Sequence, residues 1–240
     1  MAPADIESGG AFMIHAVIFD LDNTLYDFDT PHRVALGAMV AFAERAAGIA
    51  PERFQALQRE AFDLQRRRCG DCGAVHNRLI RCQLMLELAG KPIGPAPAMA
   101  GLYWSTLLEH MRPLPGAAET IDRLRAMGLA VGVGTNMTAD YQFAKLEQLG
   151  LLERIDFLVT SEEAGAEKPD PRLFQLCAEK AGCAPGECAF VGDSLKGDAL
   201  GARDAGMRAV WLCREPGKEV PDGVARIFSL DELPDLLTQS

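Results

Sequence analysis

Positive charge is scarce in this chain. Its 24 lysines and arginines face 34 aspartates and glutamates, for a formal net charge of −10. A general binder of the nucleic-acid backbone needs a basic face, so that class is excluded, whereas a small anionic ligand held by a few donors and one metal ion is not. Long apolar runs are missing too, and none reaches the length that spans a bilayer. Met1 to Met13 lack a basic start followed by an apolar core, so neither a secretory signal nor a membrane partner is expected, and this stretch reads as a loose tail. The seven cysteines are an odd number scattered through helical and strand patterns. Reduced thiols in the cytoplasm fit them better than a disulfide framework. No GxxxxGK is present, which removes a nucleotide triphosphatase of that type. Gly132-Val133-Gly134-Thr135-Asn136-Met137 opens like a dinucleotide fingerprint but carries Met137 where the third glycine belongs. Internal repeats and low-complexity segments are absent.

With 240 residues, 48% of them hydrophobic, the chain has material for one large domain, or a domain with a smaller insertion. Its organising stretch runs from His15 to Asp27. The apolar run Ala16-Val17-Ile18-Phe19 reads as a buried strand, and it ends in Asp20, Asp22 and Thr24. In an open parallel sheet, chemistry sits beyond the carboxyl ends of the strands, where Asp20 falls. Two carboxylates about 4 Å apart at an effective dielectric near 20 repel by about 4 kcal/mol, so a bound cation or a proton must offset the pair. Mg²⁺ suits an all-oxygen site. In isolation such a pair reads as an Asx-rich turn capping the next helix; the rest of the chain overturns that reading.

From Thr30 to Met111 the pattern is helical, with Thr30 as first cap and Pro31 at the first helical position. Amphipathic stretches around Val34–Phe42, Phe54–Leu64, Asn77–Leu88 and Leu102–Met111 predict a bundle inserted after the first strand. From Pro113 strands and helices alternate. Strands are expected at Leu129–Gly134, Ile155–Thr160, Cys188–Gly192, Arg208–Cys213 and Ala225–Ser229. Helices are expected at Ala117–Met127, Ala139–Leu149, Pro171–Ala181 with Asp170 as cap, Ala199–Ala205 and Leu230–Gln239. The expected fold is α/β: a Rossmann-like parallel sheet flanked by helices, with an α-helical cap. The predicted domains are a tail at 1–13, a core of 14–28 and 112–240, and a cap of 29–111.

Three of these strands end in reactive polar residues: Asp20 with Asp22, Thr135 with Asn136, and Asp193. A loop adds Lys168, and Asp198 follows in the turn after Gly192. If the strands are parallel neighbours, these groups meet at one sheet edge. Asp20 is then a carboxylate nucleophile and Asp193 a further metal ligand. Lys168 neutralises developing charge, and the Thr135 hydroxyl donates to an anionic oxygen. Backbone N–H groups beyond the strands, Leu21 among them, complete an anion site with Thr24 and Asn136.

In these motifs the sequence resembles phosphatases of the haloacid dehalogenase superfamily, in the subgroup whose helical cap follows the first motif. DxDxT corresponds to Asp20, Asp22 and Thr24; the second motif to Thr135; the third to Lys168; the fourth to Asp193 and Asp198. The resemblance runs from about Ile14 over nearly the whole chain. It implies an aspartyl phosphate on Asp20, with Asp22 as acid and then base. It implies Mg²⁺ held by Asp20, the Asp22 backbone carbonyl and Asp193, with Asp198 binding directly or through water. The dehalogenases themselves lack a carboxylate at the Asp22 position, so halide displacement is not expected. The implied substrate is a small phosphorylated metabolite, a nucleoside monophosphate or a sugar phosphate, handled by a monomer or homodimer. The DNTLYD context looks like nucleotidase-type members. A phosphomutase shares the intermediate and is the alternative. A phospho-accepting signalling module would be about half as long and carry its acceptor after the third strand.

Other residues have bland and functional readings side by side. Cys69, Cys72, His76 and Cys82 have knuckle-like spacing, but they border an ordinary amphipathic helix. His76, Asn77 and Arg78 start a cap helix, either solvated or facing substrate, with Arg78 suited to a second anionic group. Tyr26 and Phe28 either line the pocket entrance or pack between cap and core. Arg66-Arg67-Arg68 is a solvated face.

Overall fold

The computed structural model describes residues 13–238, so the predicted 1–13 tail lies outside the described residues except for Met13. The strand β1 (Ala16–Phe19) alternates its side chains between two layers. Val17 and Phe19 join one hydrophobic cluster, Ala16 and Ile18 the other, and none of the four is exposed. A strand covered on both faces needs an unbroken apolar run, which this one has.

Four helices follow: α1 (Asp29–Ala47), α2 (Pro51–Cys69), α3 (Arg78–Leu88) and α4 (Ala96–His110). α1 packs on α4, and α2 on α3. Two expectations shift here. α1 begins before Thr30, because Asp27 accepts hydrogen bonds from the Asp29 and Thr30 backbone N–H groups. α4 begins well before Leu102, at Ala96, with Pro97 in its first turn, where a missing N–H costs nothing. The chain enters and leaves this bundle side by side: Leu114 N donates to Leu25 O at 2.9 Å.

The remainder alternates: α5 (Ala117–Ala126), β2 (Ala130–Thr135), α6 (Ala139–Gln148), β3 (Phe157–Thr160), the short α7 (Ser161–Ala164), α8 (Pro171–Ala181), β4 (Cys188–Gly192), α9 (Gly201–Asp204), β5 (Arg208–Leu212), β6 (Val224–Ile227) and α10 (Leu233–Thr238). Asp170 caps α8 by accepting from Arg172 N, as its position predicts. The helix expected at Ala199 starts earlier, as a π-helical turn over Leu195–Leu200 that runs into α9.

All six strands are parallel, in the order β3-β2-β1-β4-β5-β6. The chain leaves β1 toward β2 on one side and later returns to β4 on the other, so the order reverses between β1 and β4. Ligands bind at such a reversal, beyond the strands' carboxyl ends. The glycines of β2 serve packing: a Cβ on Gly132 would lie 2.2 Å from the Phe157 ring, and one on Gly134 would lie 2.8 Å from Cys177 Sγ. That accounts for the G-x-G spacing without a dinucleotide.

Candidate active site

Asp20 extends the β1 ladder by one residue, its N–H donating to Val191 O at 2.8 Å, so the carboxylate is held against the end of β4. Lys168 reaches it from the loop before α8. Its Nζ is 2.5 Å from Asp20 Oδ1, 2.7 Å from Asp198 Oδ1 and 3.1 Å from Gly134 O. Asn136 accepts from the Lys168 backbone N–H at 2.9 Å, so the end of β2 fixes this lysine at both its backbone and its head. Asp198 is anchored by Ser194 N at 2.9 Å, and the Asp193 carbonyl by Trp211 Nε1 at 2.8 Å.

Carboxylate oxygens of Asp20, Asp193 and Asp198 lie within 4.8 Å of one another. These three carboxylates face one ammonium. Burial pushes the Asp20 carboxyl up to about 7, with Asp198 adding to the shift and Lys168 opposing it. Burial, then Asp198, pushes Asp193 up to about 6. Burial works against charge on Lys168, but Asp198 and Asp20 outweigh it and hold its pKa above the ordinary lysine value. An all-oxygen cluster with surplus negative charge fits Mg²⁺ in both donor type and charge. Among the described residues it is the only cluster of His, Cys, Asp or Glu side chains this compact, so the Cys69, Cys72, His76 and Cys82 spacing gathers no ligand set.

The Asp22 carboxylate stays outside this cluster, leaving only its backbone carbonyl for a metal. Lys145 Nζ lies 2.7 and 3.0 Å from its two oxygens, and Tyr26 Oη donates to it at 2.5 Å. Lys145 is wholly buried, and its ammonium sits 5.6–5.9 Å from the ring centroids of Phe28, Tyr26 and Trp104. Each carboxylate of the DxD pair therefore has a lysine of its own. Lys145 escaped the sequence reading, as did Gln142, whose amide donates to Thr135 Oγ1 at 2.7 Å while that hydroxyl donates to Asn136 O at 3.3 Å. The signal was there: Gln142, Lys145 and Leu146 share the buried stripe of α6, continued by Leu149 just past its end, and two of those positions hold polar residues.

Asp20, Asp22, Thr135, Asn136, Lys168, Asp193 and Asp198 all line one cavity of about 240 Å³. Two predicted anion contacts do not. Thr24 is fully buried; its Oγ1 lies 3.5 Å from both Asp20 and Asp193 carboxylates and accepts from Asp193 N, so it braces the two acids. The Leu21 side chain is in the core, which leaves only its backbone N–H for an anion. Asn77 caps α3 through Ile80 N rather than facing a substrate. Arg78 is buried, not solvated, and lines an adjoining cavity together with Phe28. Tyr26 is enclosed rather than at an entrance.

A sequence model described as haloacid dehalogenase-like hydrolase matches residues 14–206. The chain belongs to that family. It is 37% identical over 94% of its length to the whole of a ribulose-1,5-bisphosphate 5-phosphatase of Halopiger xanaduensis. It is 33% identical to a glyceraldehyde 3-phosphate phosphatase of Methanopyrus kandleri, covering 94% of this chain and 96% of that one. Among solved structures, a 2-haloacid dehalogenase of Pseudomonas syringae pv. Tomato superposes with a TM-score of 0.76 at 28% identity, over 95% of this chain and 99% of the other.

Proposed function

We propose that this hydrolase is a Mg²⁺-dependent phosphomonoesterase acting on a small phosphorylated metabolite. The observation that carries this reading is Lys168 forked between Asp20 and Asp198 at the reversal point of the sheet. One Asp20 oxygen is thereby neutralised and held, and Oδ2 remains to attack phosphorus in line. The P–O bond to the leaving group breaks as the Asp20–P bond forms. Asp22 gives its proton to the departing alkoxide and takes one back from the water that cleaves the aspartyl phosphate. Lys145 and Tyr26 hold Asp22 in one orientation through both steps. Thr135 donates to a phosphoryl oxygen, and Lys168 balances charge there. Asp20, Asp193, the Asp22 carbonyl and Asp198 would hold Mg²⁺, which when bound neutralises charge on the phosphoryl oxygens. The segment 29–111 acts as a cap over the core of 14–28 and 112–240, closing on the leaving group and excluding water. The two relatives named as sugar-phosphate phosphatases support this reading, as does Asp22 against halide displacement. The free thiols support a reducing, cytoplasmic setting.

Phosphate release from a panel of sugar phosphates and nucleoside monophosphates tests it. Activity should require Mg²⁺, stop with EDTA, and vanish in a folded Asp20→Asn variant. Substantial hydrolysis by that variant would refute the nucleophile. Isomerised sugar phosphate without free phosphate would favour a mutase instead.

A further inference from the structure

The catalytic cavity opens, past the shared residues Asp22, His76 and Met137, into a larger one of about 530 Å³ within the helical segment. In its wall are two buried arginines, Arg78 and Arg81, at 8% and 7% exposure. A buried cation normally has an anionic partner, because desolvation without one costs several kcal/mol. Among the described residues no carboxylate forms an ion pair with either arginine.

The two differ in how far they are committed. Arg81 donates to Gln65 Oε1 at 3.1 Å and Val75 O at 2.6 Å, so it is anchored in the protein. Arg78 lies 4.0 Å from the Tyr103 ring centroid, and its buried Nε has no hydrogen-bond partner. Burial, then the neighbouring Arg78, pushes Arg81 down to about 10, so the two cations repel at close range. Tyr103 Oη is 2.6 Å from His32 Nδ1, and burial with Arg78 pushes that imidazole down to about 4, so it stays neutral and adds no third positive charge.

The aromatic side chains beside the arginines do not offer an open stacking slot. Phe28 stacks on His32 at 4.8 Å, Trp104 on Tyr141 at 3.8 Å, Tyr103 has Arg78 over its face, and Phe62 has Arg81 over its own at 4.5 Å. A nucleobase would need a free platform; an oxyanion needs a desolvated guanidinium, which is what this wall provides.

We propose that Arg78 receives a second anionic group, a carboxylate or a phosphate, carried by the leaving-group half of the substrate. This deepens, and rests on, the phosphomonoesterase reading. The substrate is then a phosphorylated acid or a bisphosphate: one phosphoryl group goes to Asp20, and the far oxyanion fixes the leaving group against Arg78. Arg78 is a specificity-determining contact and takes no part in the bond-making steps.

Calorimetry on the full-length protein with Mg²⁺ tests this without turnover. The ligands are alkylphosphonates, which the enzyme cannot hydrolyse, in a homologous series ending in methyl, carboxylate or a second phosphonate. At the best-fitting length the wild type should bind an acid-ended ligand about 10- to 100-fold tighter than its methyl-ended match, the range of a charge-assisted hydrogen bond. The tighter acid identifies the natural group. Arg78→Met should bring that ratio close to one, and Arg78→Lys should keep part of it. A wild-type ratio near one at every length, no binding of any phosphonate, or a ratio unchanged in a folded Arg78→Met variant would each overturn the proposal. The wild-type ratio needs no variant to fold. An acid preference in a protein that releases phosphate from no phosphomonoester would retire the phosphatase reading and leave the anion subsite standing.

Discussion

Substituting Gly192 with alanine would place a methyl carbon 2.3 Å from Asp198 Oδ2, 2.4 Å from its Cγ and 2.5 Å from its Cβ. Ordinary contact starts near 3.4 Å, so the Asp198 side chain must retreat by about 1 Å. It has little room, being 1% exposed and tied to Lys168 at 2.7 Å and Ser194 N at 2.9 Å. The retreat breaks the fork that holds Lys168 between two carboxylates, yet no reacting group changes identity. Overpacking of this kind costs about 1–3 kcal/mol of stability. A misplacement of about 1 Å at a reacting centre costs about 100-fold in rate, or about 2.7 kcal/mol of barrier. Phosphate-release kinetics with a Mg²⁺ titration measure both effects: kcat should fall about 100-fold and the apparent Mg²⁺ affinity should drop. A folded Gly192→Ala protein with kcat within about twofold of wild type and unaltered Mg²⁺ dependence would refute the idea that Asp198 sets the lysine.

Asp22→Asn should slow turnover of alkyl phosphates by about 10²- to 10⁴-fold, and slow formation of the aspartyl phosphate less when the leaving group is p-nitrophenolate, which departs without a proton; rapid-quench kinetics separate the steps. Lys145→Met leaves Asp22 with Tyr26 alone. Removing one partner of a buried pair costs about 3–5 kcal/mol, and with the Asp22 side chain 31% exposed to rescuing water the loss should sit near the lower end, read by urea unfolding. The raised carboxyls of Asp20 and Asp193 make stability depend on pH and metal together. Between about pH 4 and pH 7 the folded state holds protons that the unfolded chain has released, so in EDTA the melting temperature should fall as pH rises through this window. Mg²⁺ binds the ionised cluster, so the stabilisation it gives should grow over the same range; a metal effect equal at pH 5 and pH 8 would contradict this.

The strand ends were legible because burial and chemistry meet there: an apolar run closing on Asp20, Thr135 or Asp193 leaves few other readings. The supporting layer was not, because its residues sit inside helices that read as ordinary amphipaths. Gln65 and Gln142 occupy stripe positions, and each hands its amide to backbone or hydroxyl oxygens that no apolar residue would satisfy. Thr24 looked like a ligand contact because threonine beside aspartates commonly donates outward, yet its oxygen is spent on Asp193 N. Helix starts moved for local reasons, Asp27 and Pro97 setting them rather than the first apolar residue.

The scarcity of positive charge acquires a meaning once it is located. Among the described residues the buried basic side chains are Arg78, Arg81, Lys145 and Lys168, and all four border the two adjoining cavities or the carboxylates within them. Lys168 and Lys145 are matched by Asp20, Asp198 and Asp22, while among the described residues no carboxylate pairs with either arginine. A chain of net charge −10 repels anions in general. One bearing an acid at each end is drawn in only where both the metal cluster and the arginines are met at once. Long-range repulsion and short-range capture together favour a ligand whose two acids match that spacing over any singly charged phosphate of the same size. Raising the ionic strength should therefore relieve the general repulsion and speed capture, because screening weakens the surface field more than the buried contacts. A fall in kcat/KM with added salt would show that the screened field attracts the substrate and would refute the general repulsion.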